Sequence, residues 1–307
     1  MKKIQNVAIF VATHKKIDVD FPAGYIPMQV NCAATGEHWA GYFHDDFGDN
    51  ISPKNPFYSE LTVLYSAWKN CDAAIKGICH YRRYMNNDSR ATFNNRHLCD
   101  VNALGKDIIV QDDIQTRLNG GNCDVLLVSP SGPNPLTSRE ELEKFCYKQD
   151  IAAMIAVVEE DFPDYAEALQ QVLNSKNLSY FNMLIAKAEV FDNYCQWLFD
   201  VLGRIELQCD LSGYDAQHKR LYGYLSEVLL NVYFEKHSVK RKYVGVVCPY
   251  QFIGAEKTDY EQQQKRNRQY NFLRKLHLFG LIEKLYQIKN PELYARYSAC
   301  KTIMEKP

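Results

Sequence analysis

Residues Val7 to Ala12 read Val-Ala-Ile-Phe-Val-Ala and are closed at once by Thr13-His14-Lys15-Lys16. A continuous apolar run of strand length, ending in a polar turn, has no face to offer water. It predicts a strand buried on both sides of a parallel sheet, and hence helices covering that sheet in an α/β fold. The same run is too short for a signal-peptide core. No other stretch approaches the roughly 18 uncharged apolar residues that a spanning helix needs, so the expectation is a cytoplasmic chain, soluble or peripheral.

The rest of the sequence punctuates in the same way. A second apolar segment, Tyr25 to Val30, precedes the Gly- and Asp-rich stretch His44 to Asn50, which reads as a loop. From Ser59 to Trp68 the apolar positions Leu61, Leu64, Tyr65 and Trp68 recur at helical spacing, leaving Glu60 and Thr62 off that face. A short strand over Ile75 to Cys79 runs straight into His80, Arg82 and Arg83, and Cys123 to Val128 reads as another. Pro130 to Pro135 breaks the chain, and Ser138 with Glu141 matches a capping box opening a helix to about Glu160. A strand is expected over Leu178 to Ala186, amphipathic helices over Glu189 to Leu207 and Asp215 to Glu235, and a last strand over Val239 to Val247. Strands separated by helices make residues 1–250 one α/β domain and residues 251–307 a helical extension.

Composition decides two further points. A chain of 307 residues with 46% hydrophobic content can build a core without staples. Its ten cysteines show no C-x-x-C pair, so neither a zinc knuckle nor a secreted disulfide framework is indicated, and they read as small buried hydrophobes. The near-neutral balance of 36 Lys+Arg against 37 Asp+Glu hides a basic tail, with 11 Lys/Arg against 5 Asp/Glu from Lys257 onward.

Three clusters offer chemistry. His80-Tyr81-Arg82-Arg83-Tyr84 places two guanidinium forks at a strand end, which suits phosphate oxygens, although a pair of arginines also serves in ordinary ion pairs. The loop with His44, Asp45, Asp46 and Asp49 would bind a divalent metal, accept bonds from sugar hydroxyls, or simply turn the chain. Arg220, Gly223 and Glu227 fall on one helical face, where Glu227 is either a partner for Arg220 or a proton acceptor. Glycine in mid-helix costs about 1 kcal/mol against alanine and implies a close neighbour. There is no P-loop, G-x-G-x-x-G or G-x-S-x-G, so kinase, Rossmann dehydrogenase and α/β-hydrolase readings lack their signatures.

The order of these and other segments resembles a bacterial family of capsular and exopolysaccharide biosynthesis glycosyltransferases. The matching residues are Thr13-His14-Lys15, Asp49-Asn50-Ile51-Ser52 with Lys54-Asn55, Glu60-Leu61-Thr62 with Trp68-Lys69-Asn70, and His80 to Tyr84. Further along they are Val172 to Ser175, Asn182-Met183, Phe191-Asp192 with Tyr194-Cys195 and Trp197 to Phe199, and Arg220 with Gly223, Glu227 and Asn231. The family was long catalogued as a domain of unknown function, and some members are assigned as galactofuranosyltransferases.

The resemblance implies a GT-A-like nucleotide-sugar transferase fold, with a mixed, mostly parallel sheet flanked by helices and a C-terminal helical extension. It implies transfer of galactofuranose or galactose from a UDP-sugar donor to a capsular, O-antigen or exopolysaccharide glycan. In that frame Glu227, His80 and Arg82 are catalytic. Thr13, His14, Lys15, Asp49, Asn50, Glu60, Thr62, Arg83, Asn182 and Arg220 bind donor or nucleotide. His80-Tyr81-Arg82 stands where such enzymes carry a metal-binding Asp-x-Asp, so no cofactor is expected, with Asp45, Asp46 and Asp49 the fallback ligands for Mn or Mg. The contrasting class is a non-catalytic nucleotide- or polysaccharide-binding module of a biosynthetic complex. Lys265, Arg266, Arg268, Arg274 and Lys275 lie among Phe272, Leu276, Phe279 and Ile282. This segment is expected to pack on the domain, join a second subunit, or hold the enzyme to the inner membrane face near a lipid-linked glycan acceptor. Nucleic acid is not expected as a partner.

Overall fold

The computed structural model describes residues 6–86, 96–130 and 134–265, together with Pro291. Its main sheet has seven strands: β1 (Val7–Thr13), β2 (Tyr25–Gln29), β3 (Phe43–His44), β4 (Ile75–His80), β7 (Val125–Val128), β8 (Leu184–Lys187) and β9 (Arg241–Val244). The spatial order is β3-β2-β1-β4-β8-β7-β9. Only β8 runs against its neighbours, β4 and β7, so the sheet is mixed and mostly parallel. A smaller sheet of β5 (Tyr84–Met85), β6 (Arg96–Cys99) and β10 (Val246–Pro249) is ordered β5-β10-β6.

All seven residues of β1 are buried, as its uninterrupted apolar run requires. Ala8, Phe10 and Ala12 face one core, with the helices Leu61–Asn70, Lys148–Asp161, Ala166–Asn174, Ala188–Glu206 and Leu221–Lys236. Val7, Ile9 and Val11 face a second core under the small sheet and the Gln111–Asn119 helix. β4 and β8 approach closely because Gly77 has no side chain: a Cβ there would lie 2.8 Å from Ile185 Cγ1 and 3.0 Å from the Leu184 carbonyl oxygen. The nine described cysteines are free, and all but Cys209 are buried.

Four local expectations need correction. The capping box is formed by Thr137 and Glu140, one residue before the expected pair, and the helix it opens stops at Leu142. A second helix starts at Lys148; the break at residues 143–147 buries Cys146 and leaves Phe145 and Tyr147 outward, with no glycine or proline to announce it. Within Leu178 to Ala186 only Leu184 onward is strand, because Phe181 and Asn182 take left-handed backbone angles, φ +79° and +50°. The expected last strand is split between the two sheets at Gly245. The Asp215 to Glu235 helix begins later, as a tight turn His218–Arg220 leading into Leu221–Lys236.

Among the described residues no helix is long and apolar enough to cross a membrane. The start of the expected extension lies against β6: the Leu98 N–H donates to Gln263 (2.6 Å), and Gln251 bonds Asp100. The basic amphipathic residues beyond Lys265 lie outside the described residues.

Candidate functional site

Strands β1, β2, β3 and β4 run in parallel, so their C-terminal ends share one edge of the sheet, where open α/β folds bind ligands. β1 delivers His14 and Lys15 there. β4 delivers the charged turn: His80 and Arg83 exchange backbone hydrogen bonds of 3.1 and 2.9 Å, folding His80-Tyr81-Arg82-Arg83 into a tight loop. Tyr81 is buried and anchors the loop, its N–H donating to the Ala12 carbonyl (3.1 Å). The Arg82 guanidinium lies 5.3 Å from the Tyr81 ring and that of Arg83 4.5 Å from the Phe181 ring, so aromatic faces orient both forks. Around His14, burial first and then Arg82, Lys15 and Arg220 hold its pKa below the ordinary value. Four cationic side chains therefore converge on one patch.

His80 plays a different part from the arginines. Its Nε2–H donates to the Phe181 carbonyl (2.6 Å), and burial pushes its pKa down. The positive charge of the turn comes from Arg82 and Arg83, while His80 ties β4 to the left-handed turn.

That turn lies against the cationic loop on one side and the Leu221–Lys236 helix on the other. The Phe181 N–H donates to Glu227 Oε1 (3.0 Å). Asn182 Nδ2 donates to Glu60 Oε1 (2.8 Å) and to the Gly223 carbonyl (3.0 Å), and its Oδ1 accepts from Ser226 Oγ (3.0 Å). Two consecutive non-glycine residues at positive φ, held by five hydrogen bonds, are a costly arrangement of the kind found at functional sites. Gly223 also makes room for Ser59, since a Cβ would meet Ser59 Oγ at 3.3 Å, the same hydroxyl that accepts from Arg220 Nε (3.1 Å). The close neighbour implied by the mid-helix glycine is Ser59, itself at φ +52°.

Glu227 keeps partial contact with solvent, yet its carboxylate sits deep enough that burial, and then the nearby Glu60, push its pKa up to about 8. The Phe181 N–H, Arg83 and Arg220 oppose that shift. A carboxyl group poised near neutrality beside cationic groups suits proton transfer.

His14, Lys15, Glu60, His80, Arg82, Arg83, Asn182, Arg220 and Glu227 are thus brought together. Thr13 is buried and bonds Lys15 backbone. The acidic loop follows β3 at the same edge of the sheet and is stapled to protein. Asp45 is fully buried and accepts from the N–H groups of Asn31 and Cys32, from Ser52 Oγ and from Thr62 Oγ1. Asp49 accepts from Tyr65 (3.1 Å), and Asn50 bonds the Asp46 and Gly48 carbonyls. Asp46 pairs with His38 (2.8 Å). Asp45, Asp46 and Asp49 do not share a point; among the described residues the group with metal-ligand spacing is Cys32, His38 and Asp46, within 4.8 Å of one another. Sequence reasoning missed Ser59, Phe181 and Ser226 and gave Tyr81, though inside the charged cluster, no role of its own. Asn182 was the available signal, since asparagine tolerates the left-handed region.

The mixed, mostly parallel sheet flanked by helices is an α/β fold, and a solved neighbour makes it GT-A-like. A solved structure, the WbbM bifunctional glycosyltransferase in its apo form, matches it with a TM-score of 0.71 and 30% identity. The match covers 79% of this chain and 45% of that one, so the chain spans under half the length of that neighbour. The model of DUF4422, a domain of unknown function, matches residues 8–238, and the chain belongs to that family. No curated protein matches the sequence.

Proposed function

We propose that the chain is a glycosyltransferase that moves a sugar, galactofuranose or galactose, from a UDP-sugar to a growing capsular, O-antigen or exopolysaccharide glycan. The observation that carries the reading is Glu227, a proton acceptor held near neutrality on the backbone of Phe181, whose ring carries the Arg83 guanidinium, and within reach of the charges of Arg83 and Arg220. Glu227 takes the proton of the acceptor hydroxyl as its oxygen bonds the anomeric carbon. The bond from that carbon to the diphosphate breaks, and the arginines, with Lys15, neutralise the departing UDP. Such a single displacement inverts the anomeric centre. Asn182, buried and fixed by Glu60 and Gly223, positions the sugar indirectly by holding the turn and Glu60 in place, and His14 contacts the nucleotide. A lipid-linked acceptor would bring the enzyme to the inner face of the cytoplasmic membrane, with the basic segment from Lys257 as the contact.

Slow hydrolysis of nucleotide sugars by the purified chain tests this directly: one UDP-hexose releases UDP, and the absence of both binding and hydrolysis across the panel rejects it. Arg82→Ala is expected to lower turnover at least 100-fold, in line with about 3 kcal/mol for removing one charge-stabilising donor. An unchanged glycan affinity with no turnover in the parent chain would instead fit a binding module.

The same cations replace a metal at the diphosphate. EDTA is therefore expected to leave most of the activity, within about twofold, because Arg82, Arg83 and Lys15 supply the charge that a metal would bring to the leaving group. Full loss, restored by manganese, would move attention to the carboxylates of the 45–49 loop.

A further inference from the structure

Two of the large exposed hydrophobic side chains, Phe145 and Tyr147, stand 40% and 42% open to water in one short segment. They do not stand alone. Phe145 stacks on Tyr224 with ring centres 5.1 Å apart, and the Arg220 guanidinium lies 5.4 Å from the Tyr224 ring. Tyr147 stacks flat on His218 at 4.3 Å, 7° between planes, and meets Tyr214 edge-on at 4.9 Å. Polar groups border the row: His218 Nδ1 pairs with Asp215 (2.7 Å), and Gln149 Nε2 donates to Tyr214 (2.9 Å).

The row begins at the reacting centre. Tyr224 is one helical turn before Glu227, and both Tyr224 and the buried Cys146, between the two exposed rings, feel the Glu227 charge. A run of aromatic faces with a border of planar hydrogen-bonding side chains is how proteins hold pyranose and furanose rings: the C–H face of the sugar lies on the ring and the hydroxyls meet the polar border. An unexplained pair of exposed aromatic rings next to a catalytic cleft fits that use.

We propose that Phe145, Tyr147, His218 and Tyr224 form the acceptor subsite, a platform that holds the non-reacting sugars of the acceptor glycan while its terminal hydroxyl faces Glu227. This rests on the glycosyltransferase reading and extends it to the substrate: the acceptor is an oligosaccharide engaged over several rings, not a single sugar. The donor makes no use of the platform.

The test uses the full chain, the double variant Phe145→Ala/Tyr147→Ala, and Leu207→Ala as a control at another exposed apolar position. The probes are neutral galactose and glucose oligosaccharides of one to four residues, with binding read by saturation-transfer NMR and titration, and donor hydrolysis measured separately. Affinity of the parent chain is expected to rise from one to three residues, with transfer from aromatic protons. The double variant should lose about tenfold, the equivalent of one to two ring contacts. Donor hydrolysis should stay within about twofold of the parent in both variants, and Phe145→Trp should retain binding. Affinity that does not rise with chain length, or that is equal in the parent and the double variant, overturns the platform. Absence of donor hydrolysis in the parent chain, with the binding pattern intact, would reject the enzyme reading and leave the platform standing as a glycan-binding surface.

Discussion

Glu227→Gln is expected to abolish transfer while raising the melting temperature, two effects of opposite sign from one atom. The amide oxygen can still accept from the Phe181 N–H, so the left-handed turn keeps its tie. The amide cannot take a proton from an acceptor hydroxyl, and loss of a general base lowers turnover by about 10² to 10⁴. Stability moves the other way because the native pKa of Glu227, about 8, stands above the usual 4.5 for glutamate. Below the unfolded value both states carry the proton, and the native state keeps its full advantage. Between that value and about 8 the unfolded chain has lost the proton that the native chain retains, so stability falls as pH rises. Glutamine never titrates and removes that slope. One pKa unit corresponds to about 1.4 kcal/mol, but the side chain keeps some water contact, so roughly 2 kcal/mol and about 4 °C are expected above pH 8. Turnover of the parent should climb with pH through the same region as the base ionises. Melting curves of the two chains that differ equally at pH 4 and pH 9 would sink the assignment. Glu60→Gln supplies the companion result: with its charge gone, the Glu227 titration should move to lower pH.

The fold was legible where the sequence carried period and punctuation. Val7 to Ala12 announced a strand with two buried faces, because side-chain direction follows from spacing alone, and the spacing of Leu61, Leu64 and Trp68 announced a helix; the single buried face expected of it was too narrow, since Thr62 and Val63 are fully buried as well and Trp68 only partly. The turn at Phe181 and Asn182 was not legible, since φ +79° at a phenylalanine has no local preference behind it. It exists because His80, Glu227, Glu60 and Gly223 hold both ends, and those partners come from three distant segments, Glu227 and Gly223 sharing one helix. The break between Leu142 and Lys148 hid for a similar reason: residues with helical propensity on both sides conceal a bend that tertiary contacts enforce. The acidic loop misled by composition. Aspartate in a Gly-rich stretch fits a ligand site and a turn equally well, and only the list of donors around Asp45 separates the two.

Those donors make Asp45→Ala the most damaging single change expected for stability. The side chain is fully buried, and its oxygens accept from Asn31 N–H (2.9 Å), Cys32 N–H (3.1 Å), Ser52 Oγ (2.6 Å) and Thr62 Oγ1 (2.8 Å). One carboxylate therefore joins the turn after β2, the end of β3, the 3₁₀ turn Ser52–Lys54 and the first turn of the Leu61–Asn70 helix. Alanine leaves four donors facing a void, and each buried unsatisfied group costs about 1 to 3 kcal/mol before water enters or the loop relaxes. A net loss of about 4 kcal/mol is expected, a large part of the 5–15 kcal/mol that typical domains possess. Asparagine should rescue only part, because its NH₂ would confront donors where the carboxylate accepted. Glu60 immediately precedes the helix that Thr62 anchors, so the staple also sets the reach of Glu60 to Asn182. Urea unfolding of the parent chain, Asp45→Ala and Asp45→Asn reads the cost, and a loss under about 1 kcal/mol for the alanine variant would show that the loop finds other partners. Donor hydrolysis per folded molecule should fall far less in Asp45→Asn than in Arg82→Ala, which separates an aspartate that builds the cleft from residues that act inside it.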